Sequence, residues 1–117
     1  MPEQFQITTG PAHPSAVVLR VSGRLDSASA PQLAQRCAEV NASGRNLVLN
    51  LEQVSFIASS GVGALLAIAE QFNATHRALR LVALSPAVDA VIRLLNLDQF
   101  LSIHAGEQQA LEAPKAA

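Results

Sequence analysis

The chain has 117 residues, the length of one domain, and half of them are apolar while 15% are charged, which excludes a disordered chain. A net charge of −1 with scattered Arg and Lys argues against nucleic acid or an anionic membrane as a direct partner. The longest apolar stretch, Gly61–Ala69, is too short for membrane insertion, which takes about 20 residues. With no signal-peptide pattern at the N-terminus, we expect a cytoplasmic protein.

The first part of the chain predicts two strands and a helix. Phe5–Thr8 alternates apolar and polar residues, as an edge strand does. Ala16–Val21 is rich in β-branched residues and nearly continuous in its apolar residues, which predicts a strand buried on both faces. A helix is predicted over Ala30–Ala42, with Ser27 or Ser29 as its N-cap.

The middle of the chain predicts a central strand and the helix that follows it. Leu47–Leu51 is short and almost wholly apolar, which is typical of a strand covered on both sides. After a turn at residues 52–53, Val54–Ile57 predicts a separate short extended segment. At Ser59 the apolar period changes to that of a helix. The predicted buried face of this helix comprises Val62, Leu65, Leu66, Ala69 and Phe72.

The last part of the chain continues the alternation of strands and helices. Leu79–Leu84 predicts a buried strand, and Ser85 followed by proline predicts the start of a helix with Leu95 on its buried face. Phe100–Ile103 and Gly106–Glu112 predict a last strand and a last helix. The pattern predicts one α/β domain over 1–117, with four or five strands, about four helices, a core over about 5–112 and a flexible tail over 113–117.

The sequence lacks the spacing of a metal site. His13, His76 and His104 lie far apart, and neither a Cys-x-x-Cys nor a His-Glu-x-x-His motif is present. The one cysteine, Cys37, falls in the apolar register of the first helix, so we expect a buried structural thiol. No metal is therefore predicted.

The glycine-rich segment that begins the second predicted helix does not match a catalytic motif. Gly61 and Gly63 are followed by neither the Lys-Ser/Thr pair of a Walker loop nor the third glycine of a dinucleotide-binding loop. Ser59 is preceded by Ile57 and Ala58, so the first glycine of the Gly-x-Ser-x-Gly motif of hydrolase nucleophiles is missing. The sequence predicts no enzyme and no cofactor, and we expect both glycines to allow close packing of the helix on the sheet.

Ser59 and Ser60 lie where a predicted strand ends and a helix begins. One interpretation is capping, in which a hydroxyl accepts a hydrogen bond from the first free N–H groups and contributes about 1 kcal/mol. The other is a phosphate-bearing or ligand-facing role, since one serine is enough for the cap. The residues alone leave both interpretations open.

Four segments follow one another in an order that matches a known family. They are Val18–Asp26 with its Gly-x-Leu-Asp ending, Leu47–Leu51 with the extension Val54–Ile57, Ser59–Leu66, and Leu84–Val88. In this order, over about residues 16–104, they resemble bacterial STAS domains of the anti-sigma factor antagonist type.

The resemblance implies a STAS fold with a mixed sheet, and a partner-switching function. It implies that the unphosphorylated chain binds an anti-sigma factor that is also a serine kinase, that phosphorylation of Ser59 breaks this complex, and that a phosphatase restores it. The resemblance therefore implies that the chain regulates sigma-factor-dependent transcription. Ser60, Gly61 and Asp26 are the implied neighbours of the phosphosite, and Asp26, Ser59, Ser60 and Val62 are the implied partner-binding residues.

One position departs from the family pattern, because Ala58 stands where an aspartate usually precedes the phosphorylated serine. Without that carboxylate we expect a serine to cap the helix, with Ser59 as the candidate. Two alternatives remain: an unphosphorylated STAS-type accessory subunit of a transporter or lipid-trafficking complex, and a divergent module that binds a small ligand or nucleotide. We expect a monomer or a weak dimer, since the edge strand Phe5–Thr8 can pair with another chain.

Overall fold

The computed structural model describes residues 4–112, so the predicted tail over 113–117 lies outside the described residues. The elements in chain order are β1 (Gln6–Thr9), β2 (Ala16–Leu25), α1 (Ala30–Ala42), β3 (Asn46–Ile57), α2 (Ser59–Ala74), β4 (Leu79–Val82), α3 (Pro86–Leu94), a 3-10 turn (Leu97–Gln99), β5 (Ser102–His104) and α4 (Glu107–Glu112). Over the described range the predicted α/β class, with a mixed five-stranded sheet and four helices, is confirmed.

The sheet follows the order of the chain, from β1 at one edge to β5 at the other. β1 is antiparallel to β2, whereas the pairs β2–β3, β3–β4 and β4–β5 are parallel. Parallel neighbours need a crossover connection, and α1, α2 and α3 provide the three crossovers. The carboxyl ends of the parallel strands therefore lie at one end of the sheet and their amino ends at the other.

Helices cover both faces of the sheet. Along β3, Leu47, Leu49 and Leu51 belong to the main core, which also includes residues of α1, α2 and α3. Val48 points to the opposite face and packs with Ala110 of α4 in a smaller cluster. The prediction that this strand is buried on both sides is confirmed.

Charged side chains anchor α4, which is only six residues long. Both Nε and Nη2 of Arg20 donate to the Glu107 carboxylate at 2.8 Å, and Asn50 Nδ2 donates to it at 2.7 Å. The bonds to Arg20 lower the pKa of Glu107. A helix of this length is unstable alone, so these bonds and the contacts of Ala110 hold it on the sheet.

The predicted turn at residues 52–53 is wrong, because β3 runs without interruption from Asn46 to Ile57. β2 also extends to Leu25 and pairs with the whole of β3 through two register shifts. Gly23, at φ +93°, lies between these shifts, and a Cβ there would lie 2.5 Å from the carbonyl oxygen of Gln4. The long pairing carries both strands to the same end of the sheet.

Several predicted boundaries differ at the other end of the chain. Leu95 is 51% exposed and follows α3, so it does not belong to the buried face. Asn96 has φ +56°, a left-handed conformation that ends the helix. Phe100 is 73% exposed and follows the 3-10 turn, so the last strand begins at Ser102 instead. Ala83 has φ +52°, and β4 ends just before it.

Candidate functional site

The carboxyl ends of β2 and β3 bring the predicted site residues to the same end of the sheet. Leu25 and Ile57 are paired across the two strands, and the N–H of Ala58 donates to the carbonyl of Leu25 at 2.9 Å. The chain therefore leaves both strands side by side, toward Asp26 in one case and Ser59 in the other. These two residues, 33 positions apart in sequence, lie on adjacent loops because β2 and β3 are parallel neighbours.

Both serines are exposed at the start of α2. Ala58 is the N-cap, with φ −92° and ψ 171°, and no side chain caps the helix. Ser59 and Ser60 are the first two helical residues, and neither hydroxyl makes a hydrogen bond with the described residues. The expectation that a serine caps this helix is therefore wrong: a cap bond comes from the residue before the first helical one, and that residue is an alanine.

Gly61 allows α2 to begin close against the end of β2. A Cβ at this position would lie 2.7 Å from the carbonyl oxygen of Leu25 and 2.8 Å from its Cγ. The predicted close approach is confirmed for Gly61, but Gly63 is exposed and a Cβ there would meet nothing within 4 Å. Val62 is partly buried against the main core, so only part of its side chain is available to a partner.

Asp26 is ionised and holds the loop between β2 and α1. Its Oδ1 accepts from the N–H groups of Ala28 at 3.0 Å and Ser29 at 3.2 Å, and Nε of Arg24 lies 3.9 Å from Oδ2. The backbone hydrogen bond from Ser29 is the main cause that lowers the pKa of Asp26. The side chain is still 34% exposed, so a fixed negative charge faces solvent beside the start of α2.

Ser29 stabilises the same loop and does not cap α1 with its side chain. Its hydroxyl donates to the carbonyl of Arg24 at 2.7 Å and accepts from the N–H of Asp26 at 2.9 Å. Although Ser29 occupies the N-cap position, its side chain makes no cap bond. The predicted capping by this serine, or by Ser27, is wrong because Ser29 is 4% exposed and its hydroxyl is already engaged in the loop.

Arg24 and Phe56 add a feature that the sequence interpretation missed. The Arg24 guanidinium lies over the Phe56 ring, 4.1 Å from its centroid, and the ring is 39% exposed. The pair faces each other across β2 and β3 just before the turn. Alternation from Val54 would place Phe56 on the same buried side, but the register shift at Ser55 turns it outward. An exposed aromatic ring beside an arginine is typical of protein interfaces.

No group of three or more His, Cys, Asp or Glu side chains among residues 4–112 could hold a metal ion. In the same part of the chain, no helix has the length and hydrophobicity needed to cross a bilayer.

The chain is similar to several anti-sigma factor antagonists. It superimposes on one from Mycobacterium paratuberculosis with a TM-score of 0.83 and 29% identity, covering 95% of this chain and 94% of that one. The unphosphorylated form of the anti-sigma factor antagonist SpoIIAA gives 0.75 at 25% identity, with coverages of 92% and 94%. The phosphorylated form of SpoIIAA, a Bacillus cell fate determinant, gives 0.70 at 25% identity, with coverages of 92% and 97%.

A sequence relative and a family model agree with these structures. The anti-sigma-B factor antagonist of Staphylococcus aureus is 23% identical over 91 residues, 77% of this chain and 84% of that protein. The STAS domain family model matches residues 9–110, which include β2, β3 and the start of α2. With the family's fold present over the same range, the chain belongs to the STAS domain family.

Proposed function

We propose that this protein is a cytoplasmic anti-sigma factor antagonist, without enzymatic activity of its own, that is switched by phosphorylation of Ser59. Its partner is an anti-sigma factor that is also a serine kinase, and a phosphatase restores the unphosphorylated form. The observation that carries the proposal is an exposed, unbonded serine hydroxyl at the first position of α2 in a STAS domain.

The position of Ser59 suits a phosphate that changes binding and leaves the fold intact. A phosphate adds a charge of about −1.5 to −2 at pH 7. The first turn of α2 has free N–H groups and a positive dipole end, both of which favour that charge. The hydroxyl makes no bond with the described residues that phosphorylation would break.

The residues around Ser59 form the surface to which a partner would bind before phosphorylation and from which it would dissociate afterwards. Gly63 lies one helical turn after Ser59 and is exposed without a side chain, so the partner can approach this face closely. Asp26 already supplies a negative charge at this end of the sheet, and a second one would repel a partner that accepts the neutral serine. The Arg24–Phe56 pair extends the same surface.

SpoIIAA is similar over nearly the whole chain and exists in phosphorylated and unphosphorylated forms, which supports a phosphorylation switch. Ala58 in place of the usual aspartate does not oppose it, because no serine is diverted to capping.

The test uses a purified anti-sigma factor kinase from the same genome, with the full-length wild type, Ser59→Ala, Ser59→Asp and Ser60→Ala. After incubation with ATP, we expect mass spectrometry to find one phosphate on the wild type and on Ser60→Ala, but none on Ser59→Ala. In titration, Ser59→Asp should bind at least about tenfold more weakly, which corresponds to about 1.4 kcal/mol. The thermal midpoint should stay nearly unchanged.

Two results would contradict the proposal. Equal affinities of the wild type and Ser59→Asp for the kinase would show that a negative charge at position 59 does not control binding. Phosphate on Ser60 alone would show that the phosphorylated residue is Ser60 and not Ser59. Binding to no anti-sigma factor, combined with capture of the chain by a transporter or lipid-trafficking complex, would favour the accessory subunit instead.

A further inference from the structure

α4 packs on one face of the sheet, whereas α1, α2 and α3 contribute apolar residues to the main core on the other face. Beneath α4 lie Val18 of β2, Val48 of β3 and Val82 of β4, each no more than 1% exposed. Val18 and Val48 are paired in the sheet, and Val82 lies two residues beyond the partner of Val48 on β4. These three side chains form a valine row that α4 covers.

The valine row belongs to a cluster that is separate from the main core. α4 contributes Ala110, which is buried, and Leu111, which is partly buried, to this cluster. An alanine and a partly buried leucine bring little apolar surface of their own, and hydrophobic stabilisation scales with the area removed from water. Removal of α4 therefore uncovers the valine row and leaves the packing of α1, α2 and α3 on the sheet unchanged.

A polar latch, made of Arg20, Asn50 and Glu107, ties the first residue of α4 to two strands. The Glu107 carboxylate accepts from Nε and Nη2 of Arg20 at 2.8 Å and from Nδ2 of Asn50 at 2.7 Å. Asn50 Oδ1 accepts from the N–H of Glu52 at 2.9 Å, which fixes the orientation of the amide group. Charge-assisted bonds with two points of contact are among the stronger side-chain contacts in proteins. The latch therefore holds α4 on the sheet at its first turn.

The connection that leads into α4 leaves room for the helix to move. Ala105 and Gly106 join α4 to β5, which is an edge strand of the sheet. A Cβ at Gly106 would meet nothing within 4 Å, so rotation of the chain there displaces no neighbouring side chain of the described range. Within residues 4–112 no strand or helix follows α4, so its displacement leaves the order of the sheet intact.

α4 is also too short to persist as a free helix. It has six residues, and isolated helices shorter than about 12 residues are marginal in water. We therefore expect α4 to lose its helical hydrogen bonds when it leaves the sheet. The protection of its amide groups then differs between the closed and the open form, which makes the opening measurable by hydrogen exchange.

We propose that α4 is a detachable cover, which opens and closes as a unit while the sheet and α1, α2 and α3 stay folded. The latch sets how often the cover opens, and the valine row is the surface that it hides. Parts of a domain with few buried apolar contacts open at a lower free energy than its main core. Opening would uncover the valine row beside the freed guanidinium of Arg20. The inference does not depend on the proposed phosphorylation of Ser59.

The test is amide hydrogen exchange, followed by NMR on the full-length protein at several urea concentrations below the unfolding transition. The N–H of Ala110, which donates to the carbonyl of Gly106 at 3.2 Å, reports on α4, and the N–H of Leu49 in β3 reports on the main core. We expect Ala110 to exchange at least about a hundredfold faster than Leu49, yet more slowly than an unprotected amide. Urea should accelerate exchange steeply at Leu49 and little at Ala110, because the opening of α4 exposes little surface.

Two variants separate the latch from a general loss of stability. Glu107→Gln keeps the size of the side chain but removes its charge, and it should raise exchange at Ala110 at least about tenfold, still with little dependence on urea. Asp89→Asn is the matched control, because the Asp89 carboxylate also accepts from an arginine, Nε of Arg93 at 3.0 Å, but on α3. This variant should leave exchange at Ala110 unchanged, since the pair on α3 is present in both the closed and the open form.

The wild type alone can overturn the proposal, whether or not Glu107→Gln folds well. Equal rates and equal urea dependence at Ala110 and Leu49 would show that α4 opens only when the whole domain unfolds. Exchange at Ala110 as fast as in an unstructured chain would show that the closed form does not persist. Equal exchange at Ala110 in the wild type and in Glu107→Gln would show that the latch does not hold α4.

Discussion

Two glycines near the start of α2 show how differently the same residue can act. Gly61 is buried against β2, whereas Gly63 faces open solvent. We expect Gly61→Ala to lower the free energy of unfolding by about 1–3 kcal/mol, because its Cβ would overlap the carbonyl oxygen of Leu25. Gly63→Ala, the matched control, should raise it by about 0.5–1 kcal/mol through helix propensity. Urea denaturation measures both, and equal effects would contradict the packing assigned to Gly61.

Asp26 makes the stability of the loop beside α2 depend on pH. Its pKa is lowered in the folded state, so its contribution is present above the unfolded pKa of about 3.9 and is lost as pH falls through the folded value. We expect Asp26→Ala to be less stable than the wild type at pH 7, with a difference that shrinks below about pH 4. Urea denaturation at pH values from about 2.5 to about 7 measures this difference in the free energy of unfolding.

Asp26→Asn is the control for charge, because it keeps an oxygen that can accept from Ala28 and Ser29. It should retain more stability at pH 7 than Asp26→Ala. A constant difference between the wild type and Asp26→Ala across the pH range would show that the carboxylate charge does not contribute.

At the scale of elements, α2 and α3 begin in contrasting ways. Ser85 caps α3, and its hydroxyl accepts from the N–H of Val88 at 3.3 Å, whereas Ala58 at the same position of α2 accepts nothing through its side chain. We expect Ala58→Ser to raise the free energy of unfolding by about 1 kcal/mol and Ser85→Ala to lower it by about 1 kcal/mol. Thermal or urea unfolding measures both, and no gain in Ala58→Ser would mean that α2 has no unmet cap.

The uncapped start of α2 has a functional consequence. A residue that caps a helix has its side chain engaged with the backbone, but both hydroxyls of the Ser59–Ser60 pair are unengaged with the described residues. With alanine at position 58, α2 lacks the stability that a capping side chain would add, and both serine hydroxyls remain accessible. This compromise is common at binding surfaces, where exposure is needed more than local stability.

At the scale of the whole molecule, Cys37 reports on the opening of the main core. The thiol is 0% exposed, and burial raises its pKa to about 12. Because the folded pKa is raised, this contribution to stability is present below the unfolded pKa of about 8.5 and is lost as pH rises above it. We expect the difference in stability between the wild type and Cys37→Ala to change by up to about 1.4 kcal/mol per pH unit above pH 8.5.

A thiol reagent gives a second measurement of the same property. At pH 8 the folded protein should react only through unfolding, while the urea-unfolded chain should react rapidly. Fast, complete reaction of the folded protein would contradict the buried position of Cys37 in the core between α1 and the sheet.

Much of this protein can be predicted from local sequence. Apolar runs such as Leu47–Leu51 predicted the central strand, and Ser85 before proline predicted the start of α3, because burial and capping act over a few neighbouring residues. The family motifs predicted that Ser59 begins α2. Gly61 was expected at a close helix–sheet contact, and the structure confirms this.

The rest depended on contacts between residues distant in sequence. Because β2 pairs with the whole of β3, a continuous strand stands where a turn was predicted at 52–53, and Phe56 points outward. The alternation of apolar and polar residues cannot predict the bulge that causes this. The hydroxyl of Ser29 bonds within the loop because Arg24 and Asp26 are placed there by the sheet. The sequence by itself thus determined the order and approximate positions of the strands and helices and where the serine turn lies. Only the tertiary structure decided what surrounds that turn and which residues hold α4 on the sheet, because both result from long-range packing.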